Sequence, residues 1–294
     1  MQSVGRDTSP RAAYALLQLT VLVWGFTAIL GKQISINAFA MVWYRQVITA
    51  VVLIAWALWN GRSMRVDKKS ARNLLAVSLL VSVHWVCFYA CIKFAGVAVA
   101  VLCLASVVVV TALVEPLIYR RPVKNLEVLM GLGVLVGVWL LVRVSAQASW
   151  SALLLGLAAA VCGATFGTLN GKLRQGLSSE VMSIWELGGG AAWLSLAFIV
   201  VPENMVFPWE ISADDWLWLS ILSVVCTALP WMWSLDVVAV LTPYTVALSV
   251  TLEPVYSMII AYFWFPESER LAPSFYVGAG LLIALVMLNA RLKR

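Results

Sequence analysis

Ten long apolar runs divide the chain, and short polar stretches separate them. A helix of about 20 apolar residues suffices to cross the hydrocarbon layer of a bilayer, and each run is close to that length. The polar links are too short to hold a soluble domain. The pattern predicts an all-α integral membrane protein with ten transmembrane helices, at 12–31, 39–60, 71–92, 97–119, 126–142, 151–172, 181–201, 215–235, 242–265 and 273–292.

The two halves of the chain resemble each other weakly. The segment MGLGVLVG at 130–137 in the fifth run parallels VGAGLLIA at 277–284 in the tenth, and MVWYR at 41–45 parallels MSIWE at 182–186. A repeat of five spans crosses the membrane in the opposite direction the second time, and inverted repeats are a common construction of transporters. We predict one membrane domain of two inverted five-helix repeats, 1–145 and 146–294, with chance similarity as the alternative.

Composition and charge narrow the class of protein. The chain is 63% hydrophobic and 12% charged, whereas about one quarter of the residues of a soluble domain are charged. The net charge of +6 suggests a nucleic-acid partner, but the cytoplasmic loops of membrane proteins also accumulate lysine and arginine. With the N-terminus inside, fifteen of the 20 basic residues fall at inner ends. This distribution predicts cytoplasmic N- and C-termini and no nucleic-acid partner.

An acidic residue and a proline, Glu253 and Pro254, lie at the middle of the ninth run. A carboxyl at the centre of a membrane helix costs about 2.5–3.5 kcal/mol, so it normally faces a bundle interior or a wet cavity. Proline frees backbone groups, which a cavity tolerates and lipid does not. Because removal from water raises the proton affinity of a carboxyl, we expect Glu253 to bind a coupling proton or a substrate amine. A permanently protonated, structural carboxyl is the alternative.

His84, the one histidine of the sequence, lies in the middle of the third run, near Trp85 and Tyr89. Histidine titrates near neutral pH, so a proton relay is one interpretation. A structural hydrogen bond inside the bundle is the favoured one. Six tryptophans lie deep enough to line a cavity, although packing explains any one of them equally well: Trp24, Trp85, Trp185, Trp193, Trp231 and Trp233.

Two further ionisable residues, Arg45 and Glu186, occupy matching positions in the two halves. Inversion places them about 10 Å apart in depth at 1.5 Å per residue, so we expect gate or substrate contacts on opposite sides rather than a salt bridge. For Glu186 a structural bond to a neighbouring helix is an equal alternative. Glu115 lies near the inner end of its run, where we predict pairing with Arg120 and Arg121.

Motifs of enzymes and cofactor sites are missing from the sequence. The five cysteines form no CxxC pair, and no GxSxG, HExxH or GxxxxGK[ST] motif occurs. We therefore expect no enzyme, no metal and no cofactor, and a gradient rather than ATP as the energy source. Glycines spaced by four at 163, 167 and 171 favour close helix packing, within one chain or in a homo-oligomer.

The ten short-linked runs in two halves resemble the drug/metabolite transporter superfamily, specifically its EamA-type members. The matching residues are VWG at 23–25, Arg45, LEPV at 252–255, Pro266 with Glu267, and GAGLLIA at 278–284. The chain departs from the family pattern near Val107, where a valine-rich run replaces a mid-span proline, and at Pro266, which replaces a glycine.

This resemblance implies an inner-membrane secondary transporter that exports small metabolites such as amino acids by alternating access. Its partners are a small-molecule substrate and the lipid bilayer, and proton coupling stays open. The alternative is a membrane-embedded enzyme acting on a lipid or lipid-linked substrate, which would need catalytic groups converging near one interface. A receptor or scaffold is a third possibility, disfavoured because it has no need of buried charge.

Overall fold

The computed structural model describes residues 9–141, 149–264 and 273–293, which are α-helical without β-strands. The repeat boundary at 145–146 and the pair Pro266 and Glu267 lie outside these ranges. A π-helical segment, Ile221–Ala228, joins α9 to α10. The helices are α1 (Pro10–Trp24), α2 (Thr27–Gln33), α3 (Ala38–Trp59), α4 (Lys68–Ala105), α5 (Val107–Tyr119), α6 (Asn125–Leu141), α7 (Trp150–Leu173), α8 (Ser179–Ala197), α9 (Ala213–Ser220), α10 (Leu229–Val240), α11 (Pro243–Val250), α12 (Glu253–Trp264) and α13 (Pro273–Leu292).

Several helical stretches suit a membrane by length and composition. Within the described ranges there are six: Pro10–Gln33, Ala38–Trp59, Lys68–Tyr119, Trp150–Leu173, Ala213–Val240 and Pro273–Leu292. The third is 52 residues long and covers two predicted runs. Gly96 breaks its helical geometry with φ 84° and ψ 169°, a conformation that glycine adopts readily because it lacks a Cβ. The described part of the chain is thus helical with six such stretches, and ten crossings stay a prediction.

Three predicted helices are interrupted in the structure. The one predicted over 97–119 breaks at Ser106, because α4 ends at Ala105 and α5 begins at Val107. The single helix over 242–265 is wrong, because α11 ends at Val250 and α12 begins at Glu253. Pro254 has no N–H to donate to the carbonyl of residue 250, so the ladder fails there. The run at 12–31 also breaks, at Gly25. The last two breaks meet, since Ser257 Oγ donates a hydrogen bond to the Gly25 carbonyl at 2.6 Å.

Two hydrophobic clusters form the interior, and each contains helices from both halves of the chain. One is built mainly by α3, α4 and α8 together with the region from α9 to α10. The other is built by α1, α5, α6 and α11–α13. The halves therefore interlock instead of folding as separate bodies, and the elements between the clusters are free to surround a cavity.

An unusually close helix contact joins α6 to α13. A Cβ built on Gly278 would lie 2.5 Å from the Gly137 carbonyl oxygen and 3.0 Å from the Leu141 amide nitrogen. Because both neighbours are backbone atoms, no side-chain rotation can relieve the overlap. The pairing of the two segments whose sequences resemble each other, 130–137 and 277–284, depends on this approach.

Gly278→Ala is expected to lower the thermal midpoint in detergent by several degrees, because forced overpacking costs about 1–3 kcal/mol. The matched control is Gly280→Ala on the same helix, where the added Cβ meets no atom within 4 Å. Alanine is a better helix former than glycine by about 1 kcal/mol, so the control should melt at the same temperature or higher. Equal midpoints for the two variants would contradict the close approach.

A buried ionic cluster fastens one end of the bundle. Arg121 Nη2 lies 3.1 Å from Glu115 Oε1 and 2.7 Å from Glu127 Oε2, and Lys293 Nζ lies 3.2 Å from Glu127 Oε1. The backbone N–H of Tyr244 donates to Glu115 Oε2 at 2.8 Å. The cluster links α5 and α6 to α11 and the C-terminal end of α13.

The prediction for Glu115 is therefore confirmed for one arginine and corrected for the other. Arg121 pairs with the carboxylate. Arg120 instead ends α5 in the left-handed conformation, with φ 55°, which turns the chain out of the helix. A left-handed residue at this position is a common helix terminator.

Candidate functional site

A cavity lies between the two hydrophobic clusters, near the helix breaks. It contains about 1070 Å³ of empty space, including the part open to solvent, and residues of α1–α5, α7 and α10–α12 line it. Seven of the ionisable and aromatic residues singled out in the sequence meet there: Trp24, Arg45, His84, Trp85, Tyr89, Trp231 and Glu253. Pro254 and Glu186 do not line this cavity. Within the described residues no three metal-ligating side chains of the His, Cys, Asp and Glu types lie together.

Arg45 is the fixed cation of the cavity. Its side chain is 97% buried, since the residue is only 3% exposed. Nε donates to Thr227 Oγ1 and Nη1 donates to the Tyr89 hydroxyl, each at 2.8 Å, and the guanidinium carbon lies 3.9 Å from the centroid of the Trp85 ring. In the described part of the chain it forms no ion pair within 4.0 Å. Neutral groups thus hold the guanidinium in place, and no described carboxylate is in direct contact with it.

The π-helical segment explains how Thr227 reaches Arg45. Thr227 Oγ1 itself donates to the carbonyl of Leu222, five residues earlier, at 2.6 Å. Thr49, one turn after Arg45 on α3, donates to the carbonyl of Ser223 at 3.0 Å. Both contacts use backbone and hydroxyl groups of the widened helix, which is a feature common at functional sites.

Glu253 is the acid of the same cavity. It is the first residue of α12 and is 9% exposed, and a helix N-terminus carries a partial positive charge that favours a carboxylate. It makes no ion pair within 4.0 Å among the described residues. The Glu253 carboxyl and the Arg45 guanidinium therefore face one cavity without forming an ion pair with each other.

Aromatic rings form much of the remaining cavity lining. Trp231 meets Trp85 edge-on at a centroid distance of 5.2 Å and lies 5.8 Å from Phe166. Phe88 meets Tyr89 at 5.3 Å. Such rings offer apolar area with a polar edge and interact favourably with cations. The cavity thus suits a ligand that carries opposite charges on an apolar body.

His84 makes a structural hydrogen bond and also faces the cavity. Its Nδ1–H donates to the Ala159 carbonyl at 2.6 Å, because a carbonyl oxygen can only accept. It also lines the cavity, and its ring meets Phe166 edge-on at 5.2 Å. The favoured structural hydrogen bond is confirmed, and a proton relay through the other ring nitrogen stays a prediction.

Glu186 lies beside the cavity without lining it. Its Oε2 accepts hydrogen bonds from Asn170 Nδ2 at 3.2 Å and from Trp231 Nε1 at 3.1 Å. Both donors line the cavity. Glu186 forms no salt bridge with Arg45, as expected from their depths, and the structural bond to neighbouring helices that the sequence left open is present.

Sequence reasoning missed two residues of the site and left open which of the deep tryptophans line the cavity. Asn170 and Thr227 were not singled out, although a polar residue within an apolar run is the signal for each. Of the six deep tryptophans, Trp24, Trp85 and Trp231 line the cavity. The others lie elsewhere: Trp185 and Trp193 donate to the carbonyls of Met64 and Leu75, and Trp233 is partly buried outside the lining.

Comparison with known proteins agrees with this architecture. A solved crystal structure superposes with a TM-score of 0.77 at 18% sequence identity, covering 97% of this chain and 100% of that chain, which shows a shared fold. No curated protein matches the sequence. The model of the EamA-like transporter family matches twice, over residues 11–143 and 150–291. The protein is therefore a multi-pass membrane protein that belongs to the EamA-like transporter family, within the drug/metabolite transporter superfamily.

Proposed function

We propose that the protein is a secondary transporter that exports small zwitterionic metabolites such as amino acids by alternating access. The observation that carries this proposal is a cavity lined by the Arg45 guanidinium and the Glu253 carboxyl, neither of which forms an ion pair with another described residue. A substrate carboxylate meets Arg45, and a substrate ammonium meets Glu253. The aromatic wall receives the apolar remainder.

The geometry of Arg45 favours binding over a purely structural role. Buried charges in proteins are normally paired, because an isolated charge in a medium of low dielectric constant is strongly disfavoured. The hydrogen bonds from Thr227 and Tyr89 and the Trp85 ring fix the guanidinium in advance. A substrate carboxylate then gains a charge-assisted bond without the cost of ordering the arginine.

The ten-span topology belongs to the same proposal. The two family matches support inverted repeats at 1–145 and 146–294, and the Gly96 kink supports separate third and fourth spans. The breaks at Gly25 and between α11 and α12 then lie inside spans one and nine. Discontinuous helices near the midplane are typical of transporter binding sites. The basic inner ends support cytoplasmic N- and C-termini, and the family resemblance supports a location in the inner membrane.

A gradient would supply the energy for export. The sequence contains no ATP-binding motif of the GxxxxGK[ST] type. The alternative of a lipid-directed enzyme gains no support from His84, whose resolved hydrogen bond goes to a backbone carbonyl and not to a nucleophile.

The decisive experiment is counterflow in liposomes. Purified protein is reconstituted, loaded with one unlabelled amino acid at a time, and supplied with the same labelled amino acid outside. We expect saturable exchange of at least one panel member that empty liposomes do not show. If no amino acid of the panel is exchanged, and the thermal melt shows that the protein is folded, the proposed amino-acid transport is rejected.

Glu253→Gln is expected to reduce exchange of the transported amino acid by about tenfold or more, because a charge-assisted hydrogen bond is worth about 1.5–3 kcal/mol. The sharper readout is competition by the analogue that lacks the amino group. Wild type should prefer the amino acid, and the variant should lose that preference. Glu203→Gln, in the loop between α8 and α9, is the matched control and should behave as wild type. A variant that keeps both the rate and the preference would make Glu253 structural.

A further inference from the structure

Glu186 presents a buried acid that the proposed binding of a zwitterion does not use. The residue is 0% exposed. Its Oε2 accepts hydrogen bonds from Asn170 and Trp231, but its Oε1 has no hydrogen-bond partner among the described residues. The side-chain oxygen of Asn170, Oδ1, has none there either. Both orphan atoms are acceptors. The group that this site lacks is therefore a donor, and a proton on the carboxyl supplies one.

No cation near Glu186 takes the place of that proton. The helices packed against α8 are α3, α4 and α10, and α7 reaches Glu186 through Asn170. The ionisable side chains that lie deepest on those helices or at their ends have bonds elsewhere: Arg45 to Thr227 and Tyr89, His84 to Ala159, Asp236 to Arg174, and Lys172 to Ile118. An ionised carboxylate at this position depends on its two neutral donors, Asn170 and Trp231. Loss and gain of the proton then change how strongly those donors are held, because a charged acceptor forms hydrogen bonds about twice as strong as a neutral one.

The two donors connect Glu186 to the cavity. Trp231 and Asn170 both line it. The Trp231 ring packs against Trp85, and Trp85 lies under the guanidinium of Arg45. A continuous set of contacts thus runs from the buried acid to the group that meets the substrate carboxylate in the proposed function.

We propose that Glu186 is the proton-binding residue that couples transport to a proton gradient, a role that rests on the proposed function and assigns coupling to a residue outside the substrate cavity. The ionised acid holds the Trp231 ring back through its hydrogen bond and leaves room for substrate. Protonation at a carboxylate oxygen weakens that bond and loosens the Trp231 ring toward the cavity, and the same proton later returns to water with no other covalent bond changed. Substrate and proton therefore compete, and by linkage each weakens the binding of the other to the same extent. That competition is what exchange of a proton for substrate requires.

The first test measures accumulation of the amino acid that wild type exchanges, in liposomes whose interior is one pH unit more acidic and whose membrane potential is clamped. One proton per substrate supports about tenfold accumulation. Glu186→Gln keeps the shape of the protonated acid, and its accumulation ratio is expected to fall to one. Glu186→Asp should recover part of the ratio. Glu180→Gln, the same substitution in the first turn of α8, should accumulate as wild type does.

The second test needs no substrate. Infrared difference spectra of the wild type in lipid, taken between acidic and basic pH, should contain the C=O stretch of a protonated carboxylic acid. Trp231→Phe removes a donor to Glu186 and should shift that band, and Glu186→Gln should abolish it. Absence of a band sensitive to Trp231 would overturn the inference.

The outcomes of the two tests separate the proposals. Wild-type accumulation that persists in Glu186→Gln, or that follows a sodium gradient and ignores pH, overturns the role of Glu186 and leaves the transporter intact. Wild type without counterflow of any amino acid overturns the proposed function, whereas the infrared band still reports on the proton site.

Discussion

Arg121→Met is expected to lower the free energy of unfolding by about 3 kcal/mol, at the lower end of the range for removing one partner from a buried ion pair. Glu115 and Glu127 are each 4% exposed, and both depend on the Arg121 guanidinium. Three contacts remain in the variant: Lys293 and Lys124 still pair with Glu127, and the Tyr244 N–H still donates to Glu115. They are the reason for choosing the lower end of that range.

The measurement is the thermal midpoint of purified protein in detergent, compared with two further variants. Arg120→Met removes the same kind of charge from the neighbouring residue, which forms no ion pair in the described ranges, and it should melt close to wild type. Combining Glu115→Gln and Glu127→Gln with Arg121→Met removes the unpaired charges and should recover part of the loss. If Arg121→Met and Arg120→Met melt alike, the cluster contributes no net stability.

Arg45→Met is expected to give the largest loss of transport, about ten- to hundredfold in exchange. The reason is that a hydrogen bond to a charged group contributes about 1.5–3 kcal/mol, and among the described residues no other arginine or lysine lines the cavity. The exchange rate of Arg45→Lys should lie between those of Arg45→Met and wild type. Lysine keeps the charge but loses the planar fork that donates to Thr227 and Tyr89.

A competition assay separates binding from misfolding. The substrate and its amide, in which the carboxylate is neutralised, are compared as competitors for exchange. Wild type should strongly prefer the carboxylate, and Arg45→Met should treat the two alike while keeping a cooperative melt. Arg65→Met, at an exposed loop position, is the control. Retention of the carboxylate preference in Arg45→Met would reject the assigned role.

Much of the candidate site was predictable from the sequence because burial of charge in a membrane is costly. That cost singled out Arg45, His84 and Glu253 before any geometry was known, and all three line the cavity. Their bonding partners were not predictable, since Thr227 and Ala159 lie on helices distant in sequence. The pairing is set by how the halves interlock, which hydrophobic periodicity does not report.

The helix interruptions were likewise only partly predictable from the sequence. Pro254 predicts a weakened helix, and the helix does break beside it. The break at Gly25 depends on the approach of Tyr256, whose Cβ would lie 3.1 Å from a Cβ at Gly25. An apolar run containing one glycine also fits an unbroken helix, so only tertiary packing decides the outcome.

The π-helical segment Ile221–Ala228 has a consequence for aligning relatives of this protein. A π-turn accommodates one residue more than an α-turn, so a relative with a single deletion here keeps both ends of the helix in place. The residue at the position of Thr227 would then be rotated by about 100° around the axis and would no longer face the arginine. A one-residue gap in this segment is thus a functional difference, and gap placement at this point decides whether two family members are assigned the same arginine anchor.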